Sequence, residues 1–296
     1  MNIFNSGEFI ALLVAFFWTF TVMSFERAGK KVGSLSVNII RLVIGFAFIC
    51  IYTYFSRGMF LPFDATGETW FWLILSGIVG LAIGDLFLFQ SFVDVGSRIS
   101  MLIMTLSPSL TLILDYLVFK ESITPLKFIG MVIVIASITF VILTKNAEEK
   151  LSGHKVRGII FALFGAVGQS IGLILSKQGM GTYDAFASTQ IRIIAAFFTF
   201  IIIISYKKSW KDVFLALKHK RAMKFITIGS LFGPFLGVSF SLLAMQYTSA
   251  AVAQTISQTN VILLIPFTAV LFKEKVTFKE TLLSITAFTG VALMFI

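Results

Sequence analysis

Charged side chains are rare inside the long apolar runs of this sequence, and three of them could take part in binding or coupling. Arg41, Asp85 and Arg192 each lie well inside an apolar run. A charge at membrane depth is energetically costly, so each is a candidate functional group. Arg41 and Asp85 fall at similar predicted depths, which predicts an ion pair with a gating or structural role. Arg192 has no acidic residue at matching depth in the run 224–245, which favours it as the site for an anionic group.

The alternative for both arginines is that their long side chains reach the nearer lipid headgroups, about 10 Å away at 1.5 Å per residue. Proton coupling would need an acid in the pathway, and the apolar runs offer Asp85 and Asp115. An Asp85 carboxylate paired with Arg41 should stay ionised near neutral pH, and would then be a poor proton carrier.

Polar residues recur on one helical face of the run 98–119. They are spaced at i, i+4, i+7, i+11 and i+15, which places them towards a helix bundle or a water-filled cavity. The set is Ser100, Met104, Ser107, Thr111 and Asp115. Pro108 cannot donate a hydrogen bond to the Met104 carbonyl, so we expect an interruption in this helix.

Amides and hydroxyls also mark the run 250–272, where Pro266 is expected to bend the helix. The polar residues are Gln254, Ser257, Gln258 and Asn260. They are candidate substrate contacts, and the alternative is that they only form hydrogen bonds between helices. Trp18 and Gln169 are further candidates, with Trp18 expected either to stack on a substrate or to fill the core.

Small residues form two ridges that predict close helix packing. One ridge consists of Gly77, Gly80 and Gly84, and the other of Gly229, Gly233, Gly237 and Ser241. The pair Gly233–Pro234 could add a hinge.

Ten apolar runs must position these residues. Only 13% of the 296 residues are charged, about half the usual share, and the mean hydropathy is +0.96. Runs near 20 residues can cross a bilayer, and in lipid they must be helices. We name them spans 1 to 10, covering 8–25, 34–55, 70–92, 98–119, 125–144, 156–176, 185–206, 224–245, 250–272 and 277–296. Span 1 lacks a basic leader and a cleavage site, so it is expected to stay as a helix.

The two halves of the chain repeat each other. The most polar central linker, 145–155, separates a first unit, 1–144, from a second, 156–296. The segment FKESIT at 119–124 recurs as FKEKVT at 272–277, and Gly80 and Gly84 map onto Gly233 and Gly237 at the same offset. Arg41 maps onto Arg192, Trp18 onto Gln169 and Ser107 onto Asn260. Five spans per unit invert the second copy, so the sequence predicts an all-α polytopic membrane protein of two inverted five-helix repeats, the architecture of alternating-access carriers.

Basic residues predict the orientation. The net charge of +10 would suggest nucleic acid binding in a soluble protein. We call the loops that follow spans 1, 3, 5, 7 and 9 the odd loops. Here eighteen of the 24 Lys and Arg lie at the odd loops, and seven of these lie between spans 7 and 8. The positive-inside rule places these loops in the cytoplasm and both termini outside a bacterial inner membrane.

These features resemble the drug/metabolite transporter superfamily, specifically its EamA type with ten helices. The resemblance rests on the two repeats, on the arginine early in each second span, and on the Lys-Glu-x-x-Thr link at 120–124 and 273–277. It implies a carrier of small metabolites, commonly amino acids or related compounds in export, with spans 5 and 10 at the periphery. Asn260 and Val261 occupy the region equivalent to Pro108, which is a departure from the family pattern. Cytoplasmic termini, frequent in the family, remain the alternative orientation.

Other functions are less well supported by the sequence. Both histidines, His154 and His219, lie in loops, and the spans lack an acid pair or a Cys/His cluster, so neither an enzyme nor a metal or other cofactor is expected. An exchanger of nucleotide-sugars or phosphorylated sugars should need more cavity cations than two arginines, and a channel or sensor is a further alternative. Expected partners are a small-molecule substrate, a coupling ion or counter-substrate, and the bilayer. The protein is expected to be a monomer or a weak homodimer.

Overall fold

The computed structural model of the chain describes residues 7–119, 124–148, 153–248, 250–272 and 278–293. The described part is helical and contains no strand. Seven of its helices are long and apolar enough to cross a membrane, and they correspond to spans 1–4 and 6–8. Their bounds are Gly7–Val32, Ser34–Arg57, Gly67–Asp94, Ser97–Val118, His154–Met180, Ala185–Tyr206 and Lys220–Tyr247. The predicted all-α polytopic membrane fold is confirmed.

The remaining spans are also helical. Span 5 is Pro125–Glu148, which begins at the proline that the sequence indicated. It continues four residues beyond its predicted end into the linker. Span 9 consists of Ala250–Ser257 and Asn260–Phe272, and span 10 is Phe278–Leu293. The repeated Lys-Glu-x-x-Thr links lie almost wholly outside the described residues.

Local sequence explains several helix ends. Asp184 caps span 7, where its carboxylate accepts a hydrogen bond from the Ala187 N–H at 2.8 Å. The Thr66 hydroxyl caps span 3 in the same way through Thr69. Span 2 ends at Gly58, whose φ of 71° is the left-handed conformation that glycine adopts readily. A short helix, Trp210–Lys218, lies within the basic loop between spans 7 and 8.

Spans 3 and 8 each change from α-helix to π-helix at the same point of the repeat. The π segment is Gly77–Gly84 in span 3 and Leu231–Gly237 in span 8. The first segment contains the whole glycine ridge of span 3, and the second contains Gly233, Pro234 and Gly237 of span 8. π-Helical turns are uncommon and often occur at functional sites. Their occurrence at equivalent positions indicates that the widened turn is a property of the repeat.

Helix packing follows an inverted twofold pattern. Span 3 packs against span 6, and span 8 packs against span 1. These two interfaces are equivalent, because span 8 is the repeat of span 3 and span 6 is the repeat of span 1. Spans 2 and 7 pack together, as do spans 5 and 10. Near the end of span 1 Glu26 accepts a hydrogen bond from Ser97, and near the start of span 6 Arg157 pairs with Asp94 at the end of span 3. The end of span 1 and the start of span 6 therefore lie at one face of the molecule, so the two halves are inverted.

The glycine ridges lie in the helix interfaces, but the two interfaces differ. A Cβ built on Gly172 of span 6 would lie 2.7 Å from the Gly80 Cα of span 3, and one built on Gly168 would lie 2.7 Å from the Gly84 Cα. Spans 3 and 6 therefore meet backbone to backbone. In the equivalent interface, the glycines of span 8 face the side chains of Phe25, Thr21 and Trp18 in span 1.

Candidate functional site

A central cavity with a volume of about 130 Å³ lies between spans 1, 3, 4, 6, 7, 8 and 9. Most of the side chains predicted to contact substrate line it. They are Trp18, Asp85, Ser107, Gln169, Arg192, Gln254, Ser257, Gln258 and Asn260. Apolar side chains, including Leu88, Phe89, Phe92 and Met101, form much of the remaining wall. The cavity therefore combines an apolar wall with a small set of polar groups.

Arg41 was a candidate for binding or coupling and was predicted to pair with Asp85, and the structure shows this pair. The Arg41 side chain is 1% exposed, however, and is not part of the described cavity lining. Its guanidinium donates to Asn38 Oδ1 at 3.1 Å, to the Leu81 carbonyl at 3.2 Å and to Asp85 Oδ2 at 2.5 Å. The same group lies 4.5 Å from the centre of the Phe89 ring. Arg41 thus neither reaches the headgroups nor faces the cavity, because it lies behind Asp85.

Asp85 joins the two repeats through its carboxylate. One oxygen accepts from Arg41 of span 2, and the other accepts from Gln169 Nε2 of span 6 at 2.6 Å. Gln169 Nε2 also lies 3.4 Å from the Gly80 carbonyl oxygen. Both oxygens of the only acidic side chain in the described lining are therefore engaged by neighbouring helices.

Arg192 lines the cavity from span 7, and the packing of span 3 fixes its position. A Cβ on Gly77 would lie 2.9 Å from the Arg192 Cα, and one on Gly80 would lie 3.4 Å from Arg192 Nη2, so glycine permits this approach. Arg192 is near enough to Asp85 for an electrostatic interaction. Its Nε is nevertheless buried without a hydrogen-bond partner among the described residues. At the repeat position of Asp85 span 8 carries Val238, so Arg192 lacks the carboxylate that Arg41 has.

Spans 4 and 9 are interrupted at equivalent positions of the repeat. Span 4 breaks at Thr105, three residues before Pro108, as the missing proline N–H predicts. Span 9 breaks at 258–259 without a nearby proline, and the Thr259 hydroxyl donates to the Ile256 carbonyl at 2.6 Å. Such a bond competes with the helical backbone pattern. Pro266, the expected site of a bend, lies further along, inside the helix Asn260–Phe272.

A chain of hydrogen bonds connects the two interrupted helices to span 6. Gln254 Nε2 donates to Ser107 Oγ at 3.0 Å, and Ser107 Oγ lies 2.9 Å from Ser170 Oγ. Thr111 was predicted on the same face as Ser107, but it is 1% exposed and is not part of the described cavity lining. The side chain of Asp115 lies outside the described residues. No cluster of three potential metal ligands occurs in the part of the chain that the structure describes.

Comparison with known proteins now assigns the chain. The model of the EamA-like transporter family matches residues 5–143 and again 156–296. The chain belongs to the EamA-like transporter family. A solved crystal structure, described only as that of a protein, matches with a TM-score of 0.65 and 15% identity, and covers 98% of this chain and 96% of that one. This match shows the fold alone. No curated protein matches significantly.

As an EamA-like transporter, the protein is an integral membrane protein that transports a small molecule. Each of the two family matches contains one copy of the break in span 4 or 9, one π segment and one arginine in its second span. The copies differ in side chains, so the cavity is asymmetric although the backbone is repeated.

Sequence reasoning missed three groups of this EamA-like site. Gly168 and Gly172 were not singled out, although the small-residue spacing Gly165, Gly168 and Gly172 is itself a packing signal. Ser170 was missed because single serines are common in membrane helices. The apolar wall was also missed, since Phe and Leu residues carry no distinguishing signal in a chain that is 57% hydrophobic.

Proposed function

We propose that the protein is a secondary transporter, working as an exporter, of small polar metabolites that carry a carboxylate, such as amino acids or related compounds. The observation that supports this proposal is the state of Arg192. Its side chain lines the cavity, and its Nε lacks a partner among the described residues. Span 8 carries Val238 at the position equivalent to Asp85, so the second half offers Arg192 no carboxylate there.

A substrate carboxylate would complete the environment of Arg192. A buried guanidinium is stable only with a charge partner and filled hydrogen bonds. A carboxylate fits its planar fork of N–H donors with two parallel bonds. Asp85 serves this purpose poorly, since both of its oxygens already accept from Arg41 and Gln169.

Alternating access is supported by the inverted repeat and by polar contacts at both ends of the bundle. At the end formed by the odd loops Ser97 donates to Glu26, and Arg157 Nε binds Asp94 at 2.9 Å. At the opposite end Arg57 Nη2 binds Asp64 Oδ2 at 2.5 Å, and the Tyr183 hydroxyl donates to Asp64 Oδ1 at 2.8 Å. The first set joins different spans, and the second joins the end of span 2 to the loops between spans 2 and 3 and between spans 6 and 7, so each would have to open in turn while the other stays closed.

The charge inventory disfavours an exchanger of nucleotide-sugars or phosphorylated sugars. Among the described lining residues, Arg192 is the only cation and Asp85 the only acid. A phosphate group carries close to two negative charges, and recognition sites for phosphate usually present several cationic donors.

The orientation and direction belong to the same proposal. The basic odd loops favour a cytoplasmic position in a bacterial inner membrane. Export from the cytoplasm is the direction that the family resemblance implies. A comparison of metabolites accumulated by cells with and without the gene would identify the substrate.

The binding role of Arg192 is tested by the affinity of purified variants for that substrate. We expect Arg192→Ala to weaken binding more than Arg41→Ala, because only Arg192 lines the cavity. Arg192→Lys, which keeps the charge without the planar fork, should fall between Arg192→Ala and the parent. Equal affinities in the parent and both alanine variants would contradict the proposal.

A further inference from the structure

Three amide oxygens in span 9 are buried without a hydrogen-bond donor among the described residues. They are Gln254 Oε1, Gln258 Oε1 and Asn260 Oδ1, and all three side chains line the central cavity. Gln258 is 8% exposed and Asn260 4%. Nearly all buried polar groups in proteins have a partner, so three unpaired acceptors on one wall indicate a missing donor.

The break in span 9 is what brings these residues to one cavity. In a continuous helix Gln254 and Gln258 would share a face, but Asn260, two residues further on, would point roughly 200° away at about 100° per residue. The interruption at 258–259 changes this direction, and Asn260 joins the lining. The amide nitrogen of Gln254 is already used, since it donates to Ser107 Oγ, which leaves its oxygen as the free acceptor.

Acceptors without a carboxylate suit a particular kind of ligand. A primary ammonium group has three N–H donors and no acceptor, so three neutral oxygens can match it. A small monovalent metal ion needs the same oxygen donors. A divalent ion would favour carboxylates, and the only acid in the described lining is occupied by Arg41 and Gln169.

We propose that Gln254, Gln258 and Asn260 form a subsite for a monovalent cation, either the ammonium group of the substrate or a coupling ion such as Na⁺. This subsite lies on span 9, and Arg192 lies on span 7, so a substrate that reaches both would carry an ammonium and a carboxylate. The inference rests on the proposed function only in assuming that ligands enter the central cavity.

The subsite belongs to the second half alone. The repeat positions of Gln254, Gln258 and Asn260 in span 4 are Met101, Thr105 and Ser107. Met101 has no amide, and Ser107 already interacts with Gln254 and Ser170. Both halves have the break, but only the break in span 9 would form a cation site. In the same way, only the first half has the ion pair of Arg41 and Asp85.

The test uses the full-length protein in nanodiscs, kept in choline chloride, and measures ligand binding by calorimetry. The probes are L-leucine, its 2-hydroxy analogue without the ammonium group, isoamylamine without the carboxylate, and NaCl. The leucine side chain suits the apolar wall. Isoamylamine or NaCl should bind the parent protein, and Gln258→Leu and Asn260→Leu should each weaken that binding about tenfold or more, the loss expected for one charge-assisted hydrogen bond.

Matched variants separate this subsite from general damage and from the proposed carboxylate site. Thr111→Val removes another unpaired buried oxygen, but one that the structure does not place in the cavity lining, and it should leave binding unchanged. Gln258→Glu should strengthen binding of the cation that occupies the site. Arg192→Gln should lose the hydroxy acid and keep the amine or Na⁺.

The outcomes are distinguishable. Binding of isoamylamine alone assigns the subsite to the substrate, and binding of Na⁺ alone assigns it to a coupling ion. Failure of both cations to bind the parent, or equal binding by the parent, Gln258→Leu and Asn260→Leu, would overturn the subsite. Failure of the hydroxy acid alone would count against Arg192 as the carboxylate site and leave the cation subsite standing.

Discussion

The Arg41–Asp85 ion pair permits a quantitative prediction, because its two partners are almost completely buried. Their side chains are 1% and 4% exposed, and the nitrogen and oxygen are 2.5 Å apart. Arg41→Met and Asp85→Leu each remove one charge and leave the other inside the bundle. We expect each single substitution to lower the free energy of unfolding strongly, and the double substitution to recover most of that loss.

The magnitude follows from what each partner leaves behind. Without Asp85, the guanidinium keeps Asn38 and the Leu81 carbonyl but has no counter-charge beside it. Without Arg41, the carboxylate keeps the Gln169 amide. Breaking a buried pair in this way costs about 3–5 kcal/mol, whereas replacing both partners by apolar residues is often close to neutral. The coupling energy in the double-mutant cycle should therefore be about 3 kcal/mol or more.

Unfolding of the purified variants by SDS in mixed micelles measures these free energies. The control is Arg157 and Asp94, a bidentate pair in which the arginine side chain is 45% exposed and the aspartate side chain 4%. Because its arginine is partly solvated, the coupling energy of this pair should be smaller than that of Arg41 and Asp85. Additive single effects at Arg41 and Asp85 would refute the reasoning.

The same ion pair predicts that Asp85 does not carry the coupling proton. Asp85→Asn protein that still folds should keep the pH dependence of transport. Complete loss of that pH dependence at normal expression would make Asp85 the proton carrier.

Three further predictions concern packing, ionisation and orientation. Gly172→Val should destabilise the bundle by about 1–3 kcal/mol, since even a Cβ at this position would lie 2.7 Å from the Gly80 Cα. In the control Gly67→Ala the added Cβ meets no atom within 4 Å, so thermal stability should not change. Burial and the hydrogen bond to Asp64 raise the pKa of Tyr183 to about 12. The contribution of the neutral Tyr183 phenol to stability is therefore full below pH ~10 and is lost as the pH rises through about 12. The difference between the ultraviolet titrations of the parent and of Tyr183→Phe should have its midpoint near 12, and a midpoint near 10 would contradict this prediction. A reporter inserted in the basic loop 207–224 should signal the cytoplasm, and an external signal would reverse the proposed orientation.

The helical framework was predictable because membrane spans follow from composition and length. The repeat also predicted the inverted arrangement, and the depths of Arg41 and Asp85 predicted that they could meet. These inferences need only helix geometry and the cost of burying charge in lipid.

Side-chain surroundings were less predictable, because they depend on contacts between distant helices. The sequence made Arg41 a candidate for binding or coupling, but it did not show that packing against Phe25 and Phe89 encloses the side chain behind Asp85. The sequence predicted a bend at Pro266 but not the break at 258–259, where Thr259 bonds to the backbone without a nearby proline. The π segments were not predicted, because a glycine ridge indicates close packing and not a change of helix type.

Counterflow in proteoliposomes tests the central claim, that a binding centre at Arg192 is exposed to the two sides of the membrane in turn. The labelled compound is the metabolite whose accumulation depends on the gene. Unlabelled compound loaded inside the vesicles should accelerate its uptake, uptake should saturate, and Arg192→Ala should abolish both effects. Flux that rises linearly with concentration and ignores the internal compound would show a channel, and would contradict the carrier mechanism.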